Sequence, residues 1–286
     1  MKIIIYFIEY IVVKILFFIF KIIGYKNSSN LGFLIGKYFG PLFRSKSSIK
    51  NNLIQANISD KNNFDLIATN VLGNYGRIFS EYVFLKDFRN EKLANYISIN
   101  GQKYLDDIIK KQKKVVFISG HFNNFELMAM QLEKYGVNLT AIYRPLNNIF
   151  LNKTMEKIRT HFICSKQIKK GRSGSRELVK NFKEGSSIAL MIDQRVTEGI
   201  KSSFFKKEAF TTTIPAQLVK KFSCPVVSIY IERIDGHNFR MIIEKPIYFS
   251  KDKNTEDITQ HLNYLLEKMI LRNPEQWILT HNRWKI

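Results

Sequence analysis

Cysteine is scarce in this chain, with only Cys164 and Cys224 among 286 residues. The two lie far apart in unrelated surroundings, so the sequence has neither a disulfide framework nor a cysteine-based metal cluster, and a reducing compartment suits it. Both are expected to be small core residues rather than reactive thiols. Internal repeats, low-complexity tracts and linkers are also missing, which favours one main domain.

Acidic residues are few as well. The chain has 24 Asp plus Glu against 45 Lys plus Arg, a net charge of +21. Such a protein attracts polyanions, which include nucleic acid, anionic membranes and acidic carrier proteins. A genome that favours Lys, Asn and Ile codons would produce part of the same excess, so charge alone does not choose a partner. Apolar residues at 45% indicate a globular chain that can bury a large core.

The N-terminus carries a long apolar run. Residues 3–23 approach the ~20 residues that a helix needs to cross a bilayer core. Glu9, Lys14 and Lys21 interrupt the run. A helix lying in the membrane interface, a helix tilted with its polar side against the protein, and a core helix of a soluble protein are therefore open alternatives. No cleavage site follows, which argues against a signal peptide. Five cations after the run predict a body on the cytoplasmic side: Lys26, Lys37, Arg44, Lys46 and Lys50.

The pattern of the body changes near residue 113. Residues 29–108 are predicted to be helical. The first helix of this region is predicted to begin at a cap formed by Ser29 or Asn30, and a second helix is predicted over 64–84. Short β-branched runs and helical stretches then alternate, which predicts an α/β fold with a mostly parallel or mixed central sheet flanked by helices. The predicted strands are 115–119, 139–143, 187–192, 225–231 and 239–243. The predicted helices between them are 124–135, 150–161, 175–184 and 216–222.

His121 occupies the most suggestive position. The first predicted strand ends in Ser119-Gly120-His121, and Glu126 follows in the first turn of the next helix. Sites of α/β proteins lie at such strand-to-helix turns. Glu126 is predicted to accept the Nδ1–H of His121, which leaves Nε2 as a general base, while free N–H groups of the helix face the same space. A structural histidine is the open alternative, because this spacing arises readily by chance.

Arginines and a carboxylate follow the later strands. Arg144 and Asn147 come directly after the second strand, and Arg159 lies in the next helix. Guanidinium groups grip phosphates through paired hydrogen bonds, although exposed ion pairs are the open alternative. Arg172 stands in a Gly-Arg-Ser-Gly run, and Asp193 ends a further strand. Asp193 could orient a substrate or an arginine, or simply cap the strand.

Two aromatic segments complete the set. Residues 204–213 read as a loop apolar enough to line a channel, or as ordinary core packing. Residues 274–285 contain Pro-Glu-Gln-Trp and His-Asn-Arg-Trp-Lys. This basic, aromatic tail is also typical of a segment at a membrane surface.

In their order along the chain, these residues resemble the lipid A late acyltransferase (lauroyl/myristoyl acyltransferase) family of the lysophospholipid acyltransferase superfamily. The resemblance covers nearly the whole chain, and the ordered set is far more specific than the His–Glu spacing alone. Besides the N-terminal anchor, the matching residues are His121, Glu126, Tyr143, Arg144, Pro145, Asn147, Arg172, Gly174, Asp193, Gln194, Phe204, Phe205, Ala209, Thr211, Pro274, Glu275, Gln276, His281, Arg283 and Lys285.

The resemblance implies an acyltransferase at the cytoplasmic face of a bacterial inner membrane. Residues 1–24 would be the membrane anchor and 25–286 the catalytic domain. A fatty acyl chain would pass from acyl carrier protein, or coenzyme A, to a hydroxyl of a phosphorylated lipid A precursor. The resemblance implies His121 as base and Glu126 as its orienter. The implied substrate-binding residues are Arg144, Asn147, Arg159, Arg172 and Asp193.

The resemblance implies no metal and no further cofactor, and the sequence has no nucleic-acid-binding motif, so no nucleic-acid partner is expected. Two departures stand out, because Lys206 and Ile214 occupy positions where the family often has glycine. The length of the acyl chain and the identity of the acceptor are therefore open. One alternative is an acyltransferase of the same superfamily that acts on another lysolipid or glycolipid. The other is a non-catalytic basic protein that binds membranes or nucleic acid.

Overall fold

The structure, a computed structural model, describes residues 2–58, 63–278 and 280–285, with the side chain of Arg172 left undescribed. Helices dominate its first third, as expected. They are α1 (Lys2–Ile23), α2 (Tyr25–Phe43), α3 (Lys46–Gln55), α4 (Phe64–Glu81), a 3₁₀ turn (Tyr82–Phe84) and α5 (Leu85–Arg89). The cap predicted at Ser29 or Asn30 is wrong, because α2 already begins after Gly24, whose φ of 79° suits glycine. Ser29 is instead buried and donates its hydroxyl to Glu81.

A seven-stranded mixed sheet forms the centre, which confirms the predicted fold class. Its strands lie in the order β1-β9-β8-β2-β5-β3-β4, all neighbours being parallel except the antiparallel β8–β9 pair. Their bounds are β1 (Ile97–Asn100), β2 (Val116–Ser119), β3 (Leu139–Tyr143), β4 (Lys166–Lys169), β5 (Ser187–Met191), β8 (Val226–Arg233) and β9 (Phe239–Ile243).

A separate hairpin, β6 (Ile200–Phe204) with β7 (Lys207–Thr211), replaces the loop that was predicted there. Its turn places Phe205 and Lys206 at φ 53° and 60°, a conformation that glycine adopts without penalty. The backbone N–H of Phe205 donates to Glu267 at 2.7 Å, so the turn is fixed to the last long helix. The departure at Lys206 therefore lies in a structural turn.

Helices cover both faces of the sheet. They are α6 (Gln102–Lys110), α7 (Glu126–Lys134), α8 (Ile149–Ile158) with a π turn (Arg159–Ile163), α9 (Arg172–Lys183), α10 (Ile214–Phe222), α11 (Thr255–Arg272) and a 3₁₀ turn (Pro274–Gln276). Apolar side chains of α7 and α8 share one core with Phe17 of α1. Those of α9, α10 and α11 share another core on the opposite face. Successive strand residues alternate between the two, with Phe117 in the first core and Ile118 in the second.

Helix α1 lies against the body along one face. Phe20 is fully buried, and the side-chain amide of Asn148 donates to the backbone oxygen of Tyr6 at 2.8 Å and to Glu9 at 2.9 Å. Most other side chains of α1 are exposed, although the helix is long and apolar enough to cross a membrane. Exposed apolar surface on this scale is typical of contact with lipid. The division into an anchor (1–24) and a catalytic domain (25–286) stays a prediction.

Candidate active site

Strand register brings His121 beside Asp193. The parallel strands β2 and β5 pair Ser119 with Met191, and both chains continue in step past the strand ends. The imidazole Nδ1 of His121 lies 2.7 Å from Asp193 Oδ1, and the backbone N–H of His121 donates to Asp193 Oδ2 at 3.0 Å. Because a carboxylate only accepts, Nδ1 carries the hydrogen. The lone pair of the neutral ring is therefore on Nε2.

Asp193 is held on its other side by an aromatic donor. Its carboxylate is buried, and the indole Nε1–H of Trp277 donates to Oδ2 at 2.9 Å. Burial alone would raise the pKa of Asp193, but the charge and hydrogen bonds of His121, together with the indole, hold it below its usual value. The carboxylate is thus ionised and fixed in orientation at neutral pH.

The same contact acts on the imidazole in the opposite sense. Burial lowers the pKa of His121, but the charge and hydrogen bond of Asp193, with a smaller contribution from Glu126, raise it above its ordinary value. The His121 side chain remains 21% exposed. Its Nε2 makes no hydrogen bond to any residue within the described ranges. A basic nitrogen therefore faces accessible space.

The structure corrects the predicted partner of His121 from Glu126 to Asp193. Glu126 is the first residue of α7, and the ring of Phe125 before it packs edge-on against the imidazole, with centroids 4.7 Å apart. The turn of the helix directs the Glu126 carboxylate toward Arg159 instead. The described hydrogen bonds of Asp193 are to His121 and Trp277 rather than to an arginine, and its contact with a substrate stays a prediction. The importance of Glu126 for catalysis stays a prediction.

Glu126 belongs to a second buried cluster. Its Oε1 accepts from Arg159 Nε at 3.0 Å and Arg159 NH2 at 2.8 Å, and also from the hydroxyl of Tyr82. Burial, the charge of Glu126 and its hydrogen bond raise the pKa of Tyr82 well above its ordinary value, so the hydroxyl stays a donor. Arg159 was predicted to bind substrate phosphate. That stays a prediction, because the guanidinium binds Glu126 and Tyr82 and lies over the ring of Tyr143.

The turn after His121 is fixed by side chains remote in sequence. Asn123 has a left-handed φ of 44°, which asparagine tolerates better than most residues. Its backbone N–H donates to Gln276 O at 3.0 Å and its side-chain amide donates to Gln276 Oε1 at 2.7 Å. Asn124 donates to Glu81 at 3.1 Å, and Glu81 forms a fully buried ion pair with Arg233 at 2.7 Å.

These bonds lie before the helix, so the oxyanion site predicted at the first N–H groups of α7 stays a prediction. The backbone N–H groups of His121 and Asn123 are occupied by Asp193 and Gln276, so neither is free to bind an oxyanion. They stabilise the turn instead. A backbone turn that donates to buried acceptors holds the histidine with little freedom.

The remaining predicted residues lie around the same edge of the sheet. Arg144 and Asn147 follow β3 and are exposed, and Arg172 begins α9, although its side chain lies outside the description. His281 is a third element of this rim. Desolvation first, and then the charges of Arg44, His121 and Arg144, lower the pKa of His281. The arginines make the rim cationic, and His281 is neutral at neutral pH.

The aromatic tail packs inward rather than onto a surface. Arg283 is 2% exposed and donates to Phe210 O at 2.7 Å and to Thr211 Oγ1 at 2.8 Å. The indole of Trp284 donates to Phe204 O at 3.2 Å. The backbone N–H of Ile278 also donates to His121 O at 2.9 Å. The tail therefore fastens the hairpin and the catalytic turn to each other.

Tyr82, Glu81, Arg233 and the role of Trp277 were not predicted from the sequence. Trp277 stood in a recognised motif, but nothing in the motif indicates which carboxylate its indole meets. The one signal that could have found the His121–Asp193 contact is the equal distance of both residues from the ends of adjacent parallel strands. It requires the strand order, which the sequence pattern leaves open.

Comparison with known proteins identifies the family. The profile of the family described as bacterial lipid A biosynthesis acyltransferase matches residues 1–286. The chain belongs to this family. That finding confirms the resemblance carried by the motifs.

Individual relatives are distant. The chain is 23% identical over 206 residues to the lipid A biosynthesis lauroyltransferase of Escherichia coli, and 24% identical over 204 residues to the palmitoleoyltransferase of the same organism. Each alignment covers 68% of this chain and 64% of the relative. The chain thus aligns with slightly less than two thirds of those relatives' length. The crystal structure of a 1-acyl-sn-glycerophosphate acyltransferase from Thermotoga maritima aligns with 88% of this chain and 99% of its own, at 14% identity and a TM-score of 0.42.

Proposed function

We propose that this protein transfers a fatty acyl chain from a carrier-protein thioester to a hydroxyl group of a phosphorylated lipid A precursor. The observation that carries the proposal is the imidazole of His121, whose Nδ1–H is bound by the buried Asp193 while Nε2 faces accessible space. An imidazole in this tautomer and with this support is a general base. Membership of the family supplies the reaction class.

The proposed reaction needs one proton-transfer group. The acceptor hydroxyl oxygen attacks the thioester carbonyl carbon while Nε2 of His121 takes the hydroxyl proton. Asp193 stabilises the imidazolium that results. The tetrahedral intermediate then breaks its C–S bond, and the leaving thiolate takes the proton from Nε2. The products are an ester and a free thiol, and the neutral imidazole is restored.

The surroundings of the base suit an anionic lipid. Arg44 and Arg144 give the rim a positive charge that phosphate groups of a glycolipid would complement. Helix α1 lies along the body with its outer face exposed, as a protein held at a lipid surface requires. We infer a position at the cytoplasmic face of a bacterial inner membrane, because lysines and arginines follow the apolar helix.

The test is acyl transfer by the purified full-length protein in detergent. The donor is an acyl carrier protein thioester, and the acceptor is a tetra-acylated, phosphorylated disaccharide lipid. Wild type should form a product heavier by one acyl chain. His121→Ala should lose roughly 10²–10⁴-fold in rate, while His261→Ala, on an exposed histidine of α11, should retain full activity.

Other outcomes lead to different conclusions. An undiminished rate in His121→Ala would refute the base. Transfer by wild type to other lysolipids or glycolipids, but not to the disaccharide, would keep the chemistry and change the acceptor. Absence of transfer to every acceptor would remove the proposed function altogether.

A further inference from the structure

Helix α9 presents an unusually basic face to solvent. Its twelve residues, RSGSRELVKNFK, contain four cations and one acid. Arg176, Lys180 and Lys183 are all exposed and stand at positions i, i+4 and i+7, which share one helical face. Lys170, exposed just before the helix, adds a further cation. We call Lys170, Arg176, Lys180 and Lys183 the basic stripe.

The stripe begins at the catalytic edge of the sheet. Strand β4 ends at Lys169 and runs parallel to β3, β5 and β2, so its carboxyl end lies at the same edge as His121. The order β2-β5-β3-β4 separates β4 from β2 by three strand spacings, or about 14 Å. From this edge α9 carries the stripe away along the domain for about 18 Å. A partner bound there could extend a flexible arm to the base.

The stripe lies on the face of the sheet opposite to α1. Leu178 and Phe182 of α9 pack into the core that contains α10 and α11, whereas Phe17 of α1 packs against the other core. If the exposed side of α1 contacts a lipid surface, the stripe on the opposite face therefore points to the aqueous solution. This placement favours a soluble anionic partner over lipid headgroups.

Charges of the protein itself leave the stripe largely uncompensated. Among the described residues, the ion pair that involves the stripe joins Lys180 to Glu184 at 3.9 Å, with both side chains more than half exposed. Glu177 of α9 is also exposed and follows Arg176 in the sequence. An exposed pair at this distance contributes little. The four cations therefore remain available for an acidic surface, and a linear row suits an acidic helix of a partner.

We propose that the basic stripe docks the acidic carrier protein that brings the acyl thioester. This rests on the proposed function, since it identifies where the donor of that reaction binds. The carrier seats along α9, and its acyl-bearing prosthetic arm enters over the end of β4. The docking surface and the base are then separate parts of the protein.

Charge reversal tests the proposal. The variant Lys180→Glu with Lys183→Glu changes the stripe, and Lys103→Glu with Lys110→Glu makes the same change in charge on exposed residues of α6, beside the opposite outer strand. Each protein is assayed with the same acyl chain on carrier protein and on pantetheine, an uncharged small donor. Thermal unfolding checks that both variants fold.

With the carrier-protein donor, kcat/KM of the stripe variant should fall by about 10–100-fold, within the 10–10³-fold range by which electrostatic steering raises association rates. In wild type, kcat/KM with the carrier-protein donor should fall in the same way as the salt concentration is raised. With the pantetheine donor, the stripe variant should match wild type. The α6 variant should match wild type with both donors. An unchanged kcat/KM with carrier protein, or an equal loss with both donors, would overturn the docking site.

Direct binding separates this proposal from the proposed function. Binding of unacylated carrier protein, measured by fluorescence anisotropy, should be lost in the stripe variant alone. The binding assay tests the docking site even if wild type transfers no acyl chain. Failure of acyl transfer would overturn the proposed function and not the docking site. Sedimentation with phosphatidylglycerol vesicles gives the competing outcome. A stripe variant that loses vesicle binding and keeps carrier binding would assign the stripe to lipid and refute the proposal.

Discussion

Two buried carboxylates adjoin the candidate base, and they differ in what they bind. Asp193 accepts from His121, a group that titrates near neutral pH, and from the indole of Trp277. Glu126 accepts from Arg159, which stays charged at every working pH, and from the hydroxyl of Tyr82. The first cluster can therefore move a proton. The second is a fixed ion pair that supports the surrounding structure and adds a negative charge near the imidazole.

The largest effect should come from Asp193→Asn. The amide can donate to Nδ1 and so stabilise the wrong tautomer, with the hydrogen on Nε2. Loss of rate by about 10⁴-fold is expected, as when a catalytic histidine loses its carboxylate partner. Steady-state kinetics with carrier-protein and pantetheine thioesters would measure it. A rate within tenfold of wild type would show that Asp193 does not orient the base.

The same variant should shift the pH profile. A base must be neutral to act, so wild-type activity should fall as pH drops through the pKa of His121, which Asp193 holds above its ordinary value. In Asp193→Asn the raising charge is gone, and burial remains to lower the pKa. The acid limb of the residual activity should therefore move to lower pH. If the acid limb stays in place, the fall of activity at low pH does not arise from the His121–Asp193 pair.

Glu126→Gln should act mainly on stability. Arg159 is 14% exposed, and the substitution leaves its charge buried without a carboxylate. Breaking a buried pair in this way costs about 3–5 kcal/mol in the free energy of unfolding. Chemical denaturation in detergent would measure it. The acid limb should move to lower pH by less than in Asp193→Asn, because Glu126 raises the pKa of His121 less than Asp193 does. Equal shifts of the acid limb in Glu126→Gln and Asp193→Asn would show that the two carboxylates act alike on His121.

Trp277→Phe tests the donor on Asp193 with little loss of ring packing. A hydrogen bond to a charged group is worth about 1.5–3 kcal/mol, so the rate should fall by roughly 10–150-fold. Without the indole, Asp193 is a stronger base and attracts the proton of the imidazolium more strongly. The acid limb should move to higher pH, opposite to Asp193→Asn. A purely structural tryptophan would lower stability and leave the limb unchanged.

Tyr82→Phe should give the smallest effect. It removes one donor from Glu126 but leaves the two bonds from Arg159. The free energy of unfolding should fall by about 1–2 kcal/mol, with the acid limb unmoved. Denaturation and the pH profile, compared side by side with Trp277→Phe, would show whether the two aromatic donors serve different carboxylates. A shifted limb would place Tyr82 in the proton-transfer cluster.

Alternating strands and helices were predictable because the buried strands are continuous apolar runs. The five predicted strands match β2, β3, β5, β8 and β9 within one or two residues at each end. The short outer strands β1 and β4 were missed. Strand β4 reads Lys-Gln-Ile-Lys, and only Ile168 of it is buried, so its hydrophobic pattern is too weak to distinguish it from a loop.

The site was predictable in its residues and less so in its contacts. His121, Glu126, Arg159 and Asp193 all lie together, as their positions after strands and in adjoining helices suggested. The pairing was wrong because proximity in sequence favoured Glu126, whereas the register between β2 and β5 selects Asp193. Contacts made across 72 residues depend on strand order, which local patterns do not encode.

The most direct test of the account is the tautomer of His121, observed by ¹⁵N NMR of ring-labelled protein. His121→Ala assigns the signal by its disappearance. We predict an Nδ1–H tautomer in wild type and in Glu126→Gln, and its loss in Asp193→Asn. A tautomer that survives in Asp193→Asn and is lost in Glu126→Gln would contradict the assignment and return Glu126 to the position beside the base.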